Sequence, residues 1–305
     1  MDITKVVIPS AGLGTQFMPF AKAIPQEMLP LIRKPAIQHV IEESIASGIN
    51  LVCVITSKRK QAIANHFDRE DDLQALLEEH DARNALSTVH KLTKAATFSY
   101  VRQTEPLGTG HAVMLAKHHI GKEYFGVSFP DDICKSKIPV LEQLMRVTRQ
   151  ERASIIAVQE VPRSCLSSYG VIGIKKQITP NLFQISRIAE KPHPNDAPSN
   201  LAVVGRYILS HRVFDALDRM TQYATQELQL TDAINDMIHH NERVFAYKMQ
   251  GVRYDIGTPL GWIKAIIGTA LQNPAYATVI KKFIQEIDST DSFLYNPSKT
   301  IEHGP

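Results

Sequence analysis

Cysteine is scarce. The 305 residues hold three, Cys53, Cys134 and Cys165, in unrelated contexts and without a C-x-x-C spacing, which excludes a disulfide framework and a structural zinc site. No apolar run approaches the ~18 residues of a membrane span, and the N-terminal residues lack the apolar core of a signal peptide. The expected location is therefore a reducing cytoplasm. A surplus of one charge is also missing. The chain has 34 lysines and arginines against 31 acids, for a net +3, with no basic stripe of the kind nucleic acid requires. The run Lys58, Arg59, Lys60 reads as a solvated face. Internal repeats and low-complexity tracts are absent. The remainder is 44% hydrophobic and long enough to bury a large core.

That core alternates between two periods. Val6 to Ile8, Leu51 to Ile55, Thr97 to Val101 and Phe125 to Phe129 read as buried strands. Between them, Ile37, Val40, Ile41 and Ile45 recur at helical spacing before Gly48, and Asp71 to about Leu86 reads as a second helix before a polar linker. His111 to Ile120 reads as a third. Parallel strands need right-handed helical crossovers, so the loops leaving these strands gather at one sheet edge, where ligands bind. The second half is less regular. Strands near Ser154 to Gln159, Val171 to Ile174, Gln184 to Ile188 and Leu201 to Leu209 alternate with prolines and join the same sheet. Thr231 is expected to cap a helix through about His240, two helices near Trp262 to Leu271 and Ala275 to Ile287 close the chain, and the polar tail from Asp288 is expected to be disordered. The organisation predicted is one domain over 1–272, with halves 1–150 and 151–272, followed by a C-terminal helix and tail over 273–305.

The loop after the first strand, Ser10, Ala11, Gly12, Leu13, Gly14, Thr15, can turn unpaired backbone amides toward phosphate oxygens. It is not a dinucleotide fingerprint, because the third glycine position is Phe17, and no Gly-Lys-Ser/Thr P-loop occurs. Asp131 and Asp255 each end a strand-like run, so their carboxylates can meet at the sheet edge. Two hard oxygen ligands there suit Mg²⁺, while a capping or turn role is the plain alternative, especially beside Gly257. Asp132 is a possible further ligand, but alternation points it to the opposite face. Pro192 holds Lys191 extended, and Glu190 and Lys191 should face different sides; a surface ion pair is the alternative. Gly170 and Gly205 fit close backbone approach, or a bulge. Gln103 offers a donor and an acceptor, and Gly108 a bare backbone. His111, His118, His119, His239 and His240 read as surface or helix-end histidines, since adjacent residues on a helix cannot face one ion. No Ser/His/Asp arrangement is readable.

Gly12 to Thr15, Pro19, Lys22, Pro25 and Glu27 to Pro30 resemble the opening of the bacterial UTP-glucose-1-phosphate uridylyltransferases, within the sugar-1-phosphate nucleotidylyltransferases. The resemblance continues through Gln38, Asn65 to Asp68, Arg102 and Gln103, Gly108 to Ala112, Pro130 and Asp131, Tyr169 to Val171, Glu190 to Pro192, Pro198 to Ala202, Val204 to Tyr207, Gln229 to Ala233 and Tyr254 to Gly257. It implies a three-layer α/β/α Rossmann-like fold with a mixed, mostly parallel central sheet. It also implies transfer of uridylyl from UTP to glucose 1-phosphate by Mg²⁺-dependent in-line displacement, in a homo-oligomer, dimer or tetramer, that engages neither nucleic acid nor membrane. By the same resemblance Ala11, Gly12, Gly14, Thr15, Glu27, Gln103 and Gly108 bind nucleotide, with Gln103 and Gly108 at uracil. Gly170, Glu190, Lys191 and Gly205 bind the sugar phosphate, Asp131 and Asp255 hold Mg²⁺, and Lys22, Lys191 and the residues at 16 and 26 serve the chemical step. The nucleophile is an anionic phosphate oxygen, so positioning and charge neutralisation replace a general base.

Two positions depart from the family. Gln16 stands where arginine is usual and Gln26 where lysine is usual. A charge-assisted hydrogen bond is worth ~1.5–3 kcal/mol, and losing one transition-state donor costs on the order of 10²–10³ in rate. A catalytically weak or inactive member with a regulatory or binding role is therefore the second reading. The pattern Tyr276, Val279, Ile280, Phe283, Ile284, Ile287 fits either a subunit contact or a helix packed on its own chain.

Overall fold

Apolar, β-branched runs bounded by polar loops become strands buried on both faces. A computed structural model describes residues 1–79, 86–221 and 227–289. In chain order the strands are β1 (Lys5–Pro9), β2 (Pro30–Leu31), β3 (Lys34–Pro35), β4 (Leu51–Thr56), β5 (Thr97–Arg102), β6 (Phe125–Ser128) and β7 (Asp132–Lys135), then β8 (Ser154–Glu160), β9 (Gly170–Thr179), β10 (Leu182–Glu190), β11 (Leu201–Leu209), β12 (Val244–Lys248) and β13 (Val252–Asp255). Nine form one sheet in the order β5-β4-β1-β6-β11-β8-β12-β10-β9, while β7 pairs with β13 and β2 with β3. The ladders β5–β4, β4–β1, β1–β6 and β8–β12 are parallel. Strands β11 and β10 run against their neighbours, so seven of the nine described strands point one way. The sheet is mixed, as expected, and both halves of the chain join it at the β6–β11 ladder.

Successive residues of β1 show the layering. Val6 and Ile8 pack with residues of the helices Ala36–Ala46 and Val140–Glu151, whereas Val7 packs with residues of Thr109–Leu115, Arg212–Thr221 and Leu230–His239. Side chains alternate across a strand, so the two clusters cover opposite faces and give the three α/β/α layers. Each fully buried Val, Leu or Ile contributes roughly 1.5–3 kcal/mol, which fixes the sheet edge that carries the loops.

Several expectations change. The linker expected before β5 contains the helix Ser87–Ala95, whose Val89 and Leu92 are buried; residues 80–85 of the helix expected from Asp71, and 290–305 of the tail, lie outside the described residues. Thr231 does not cap its helix. The helix begins at Leu230, whose N–H is accepted by Thr109 Oγ1 at 3.0 Å, so a residue more than a hundred positions away does the capping. Strands β9 and β10 run longer than their apolar cores, because residues 175–179 extend the hairpin as an exposed ribbon. The closing helices are Pro259–Gln272 and Pro274–Ser289.

Candidate active site

At the end of β1, the Ser10 N–H donates to Ile55 O at 2.7 Å, and the chain then leaves the parallel ladder. The glycine loop follows at the sheet's C-terminal edge. Gly14 takes a left-handed φ of 65°, which a side chain rarely adopts. Ala11, Gly12, Gly14, Thr15, Gln16, Gln26 and Glu27 line one wall of a cleft of about 460 Å³, and Gln103, Gly108, Asp131, Gln229 and Gly257 line others. Gln26 packs beneath Gly14, and its Nε2 donates to Ile256 O at 3.4 Å. No lysine or arginine lines this cleft among the described residues, whereas Glu27, Asp131 and Glu227 do.

Glu27 is 8% exposed and ion-paired with Lys60, 6% exposed. Burial pushes the Glu27 carboxyl up while the Lys60 ammonium pulls it down, and Glu27 Oε2 is buried without a hydrogen-bond partner among the described residues. This corrects the reading of Lys58 to Lys60 as one solvated face: Lys58 and Arg59 are exposed, but the third cation turns inward.

One end of the cleft is closed by neutral groups. Gly108 has φ 95°, and a β-carbon there would lie 2.5 Å from Leu228 O. Leu228 O also accepts the Gly110 N–H at 2.7 Å, and the Leu228 N–H donates to Leu107 O at 2.8 Å. Only glycine lets the Gln103 to Gly108 loop meet the 227–229 segment this closely. Gln103 Nε2 donates to Gly108 O at 3.2 Å and approaches His111 Nδ1 at 2.9 Å. His118, His119, His239 and His240 are exposed as expected; His111 is half-buried and engaged with Gln103.

The other end gathers carboxylates. Asp255 Oδ1 and Asp131 Oδ2 lie 3.0 and 3.5 Å from the point that a β-carbon on Gly257 would occupy, so the distant strand ends do meet. The Gly257 N–H donates to Asp255 Oδ1 at 2.9 Å, and the Ile256 N–H to Asp131 O at 2.8 Å. Burial, then the neighbouring Asp132 and Asp255, push the Asp131 carboxyl up to about 7. Asp132 faces away, as alternation required: its Oδ2 accepts the Gly205 N–H at 2.7 Å and its Oδ1 accepts from Arg253 Nε. A β-carbon on Gly205 would lie 2.7 Å from both Asp132 Oδ2 and Phe129 Cβ. That packing requires glycine at 205. Among the described residues, no three His, Cys, Asp or Glu side chains form a complete metal cage.

Two buried arginines organise this end. Arg206 is fully buried in β11. It donates from Nη1 to Phe129 O at 3.1 Å and from Nη2 to Asp132 O at 2.8 Å, and it pairs with Glu43 Oε2 at 2.9 Å. It thereby clamps the backbone on both sides of Pro130 and Asp131. Burial works most strongly against its charge, but Glu43 and its other neighbours, Asp132 among them, together outweigh that and keep the guanidinium ionised. Arg253 pairs with Asp132, reaches Asp255 Oδ2 at 3.6 Å and stacks over the Tyr169 ring at 4.5 Å.

Not every predicted residue reaches the cleft wall. Lys22 and Lys191 are exposed and do not line it. Lys191 is not extended: it has φ 43°, and its N–H donates to Tyr169 O at 3.0 Å. The end of the β9–β10 ladder turns the chain there despite Pro192. Glu190 is paired with Gly170 across that ladder, and its Oε2 lies 3.4 Å from where a Gly170 β-carbon would be.

A glycine loop on the edge of a mostly one-way sheet, opposite converging carboxylates, defines a nucleotidyl transferase. Residues 5–270 match the family model described as nucleotidyl transferase, and the chain belongs to that family. Its similarities are more particular than the class. It is 43% identical over 286 residues to the UTP–glucose-1-phosphate uridylyltransferase of Staphylococcus epidermidis, covering 94% of this chain and 99% of that one. It is 40% identical over 288 residues to UTP–glucose-1-phosphate uridylyltransferase 1 of Staphylococcus saprophyticus, covering 94% and 100%. Among solved structures it is similar to UTP-bound UGPase from Acinetobacter baumannii, with a TM-score of 0.85 at 35% identity over 94% of this chain and all of that one. A UDP-glucose pyrophosphorylase complexed with UDP-glucose gives 0.81 at 35% identity, covering 89% and 100%. These findings bear out the resemblance read from the sequence.

Proposed function

We propose that this chain transfers the uridylyl group of UTP to glucose 1-phosphate, forming UDP-glucose and releasing pyrophosphate. The observation that carries the reading is a single cleft whose one end offers a neutral amide and whose other end offers paired acids, in a chain 43% identical to uridylyltransferases over nearly its whole length. Backbone amides of Ala11, Gly12, Gly14 and Thr15 would hold the phosphates, with Glu27 fixed beside them by Lys60. Gln103 and Gly108 would meet the uracil. Gly170, Glu190 and Lys191 would place the sugar phosphate, with Gly205 seating Asp132 beneath them, and Lys22 would approach from the loop. The attacking phosphate oxygen is already anionic, so these groups orient two anions and need no general base.

A divalent cation fits the acid end on the evidence of Asp131, whose carboxyl is pushed up to about 7 by burial first and then by Asp132, Asp255 and, most weakly, Glu27. Asp131 and Asp255 would hold it, Mg²⁺ being the ion that two carboxylates plus phosphate and water oxygens suit. Such an ion supplies Lewis-acid neutralisation of phosphate charge.

The absence of lysine and arginine from the cleft lining among the described residues favours a refinement: Gln16 and Gln26 bind the triphosphate weakly and slow the chemical step. The exposed faces of the last two helices, with Leu260 at 61%, Val279 at 68% and Phe283 at 55% exposure, are proposed to pack on a second copy in a dimer or tetramer, in the cytoplasm. Residues 1–272 would form the catalytic domain, with 273–305 an appended segment. Pyrophosphate release on mixing the protein with UTP, glucose 1-phosphate and Mg²⁺, with UDP-glucose identified by mass, tests the activity. Formation of that product only when all are present is expected; its absence at high enzyme concentration favours the binding or regulatory reading.

A further inference from the structure

The amide of Gln103 has a defined direction. The residue is 5% exposed, and its backbone N–H is held by Thr56 O at 2.8 Å. A carboxamide carries two N–H bonds, and Nε2 has two partners, Gly108 O at 3.2 Å and His111 Nδ1 at 2.9 Å. A backbone carbonyl only accepts, so Gly108 sets which way the amide lies. His111 agrees with Gly108 only if Nδ1 is bare. Burial holds this imidazole below its ordinary range, against an opposing influence of Glu105, so near neutral pH it is uncharged, with its proton on Nε2. Among the described residues no group donates to Gln103 Oε1, and Gln103 lines the cleft. The oxygen is left as an acceptor for a ligand.

We propose that His111 is a specificity-positioning residue: by accepting from Gln103 Nε2 it keeps Oε1 turned to the cleft, and so selects a pyrimidine that presents an N–H over one that presents a lone pair. This rests on the reading of the cleft as a UTP site. Uracil carries hydrogen on N3 and satisfies Oε1. Cytosine has a lone pair on N3, which faces Oε1 without a proton between them. Discrimination by a buried acceptor left unpaired is stronger than discrimination by shape alone. If His111 lost its acceptor, Gly108 O alone would hold the amide, one N–H would be released, and rotation would become easier.

Calorimetric titration of UTP and of CTP, with Mg²⁺ present, on the unsubstituted protein, His111→Leu and His111→Asn tests this. Asparagine keeps an oxygen acceptor near the position of Nδ1; leucine removes it. The expected result is tighter UTP than CTP binding by about tenfold or more in the unsubstituted protein and in His111→Asn, and a collapse of most of that preference in His111→Leu. A folded His111→Leu protein with undiminished preference overturns the inference and leaves the UTP reading intact. Equal binding of both nucleotides by the unsubstituted protein also overturns it, and binding of neither overturns both. The ¹⁵N shifts of the His111 ring supply a check that needs no variant. A neutral ring protonated on Nε2 at pH 7 is expected, whereas protonation on Nδ1 would reverse the amide and end the proposal.

Discussion

At the neutral end of the cleft, Gly108 O and His111 Nδ1 hold Gln103 Nε2 and leave its Oε1 for a ligand, and the 227–229 segment locks their loop in place through backbone hydrogen bonds. At the acid end, Asp132 and Asp255 have donors, from Gly205, Arg253 and Gly257, but burial and then the neighbouring carboxylates push the Asp131 carboxyl up. One end is therefore assembled before any ligand arrives. The other is held together by two buried arginines and is completed only by an added positive charge. Specificity and chemistry are thus separated in space, and each should fail separately.

Three measurements can break or sharpen that contrast. The largest effect is expected from Arg206→Met. It leaves Glu43 buried without its partner and frees the carbonyls flanking Asp131, and breaking such a pair costs about 3–5 kcal/mol. Urea denaturation should report that loss, whereas a change below about 1 kcal/mol would remove Arg206 from its structural place. Next, Gln16→Arg with Gln26→Lys should raise turnover by on the order of 10², with the UTP-over-CTP preference unaltered. Equal turnover with and without the substitutions would show that the neutral lining is no handicap. The smallest effect concerns pH. Asp131 binds its proton more tightly folded than unfolded, so its contribution to stability is present at low pH and is lost as pH rises toward about 7. The metal-free protein should lose stability between about pH 4 and 7 relative to Asp131→Asn, and Mg²⁺ at pH 8 should restore it; parallel pH profiles would contradict this.

Much of the molecule was legible because apolar runs have few fates. β1, β4 and β11 are rich in Val, Ile and Leu, and both aspartates end short strand-like runs, which is why their meeting could be anticipated. Arg206 was not, since a single cation inside β11 reads as an interruption until its carbonyl partners are brought together in three dimensions. Yet an arginine amid eight apolar or glycine neighbours was the available signal. Lys60 was hidden in a charged run whose other members are exposed. His111 looked like any helix histidine because Gln103, eight residues away, meets it only when the Gly108 turn folds back. The backbone at Lys191 defied the restriction from Pro192, and the helix Ser87–Ala95 carries too few apolar residues to announce itself.

The account turns on one divalent ion shared by Asp131 and Asp255 within the nucleotide cleft. Mn²⁺, titrated by electron paramagnetic resonance in the presence of UTP, reports that ion directly. One site per chain is predicted, weakened in both Asp131→Asn and Asp255→Asn by at least the roughly 10-fold that loss of a supporting contact costs. Unchanged Mn²⁺ affinity in both variants would contradict it.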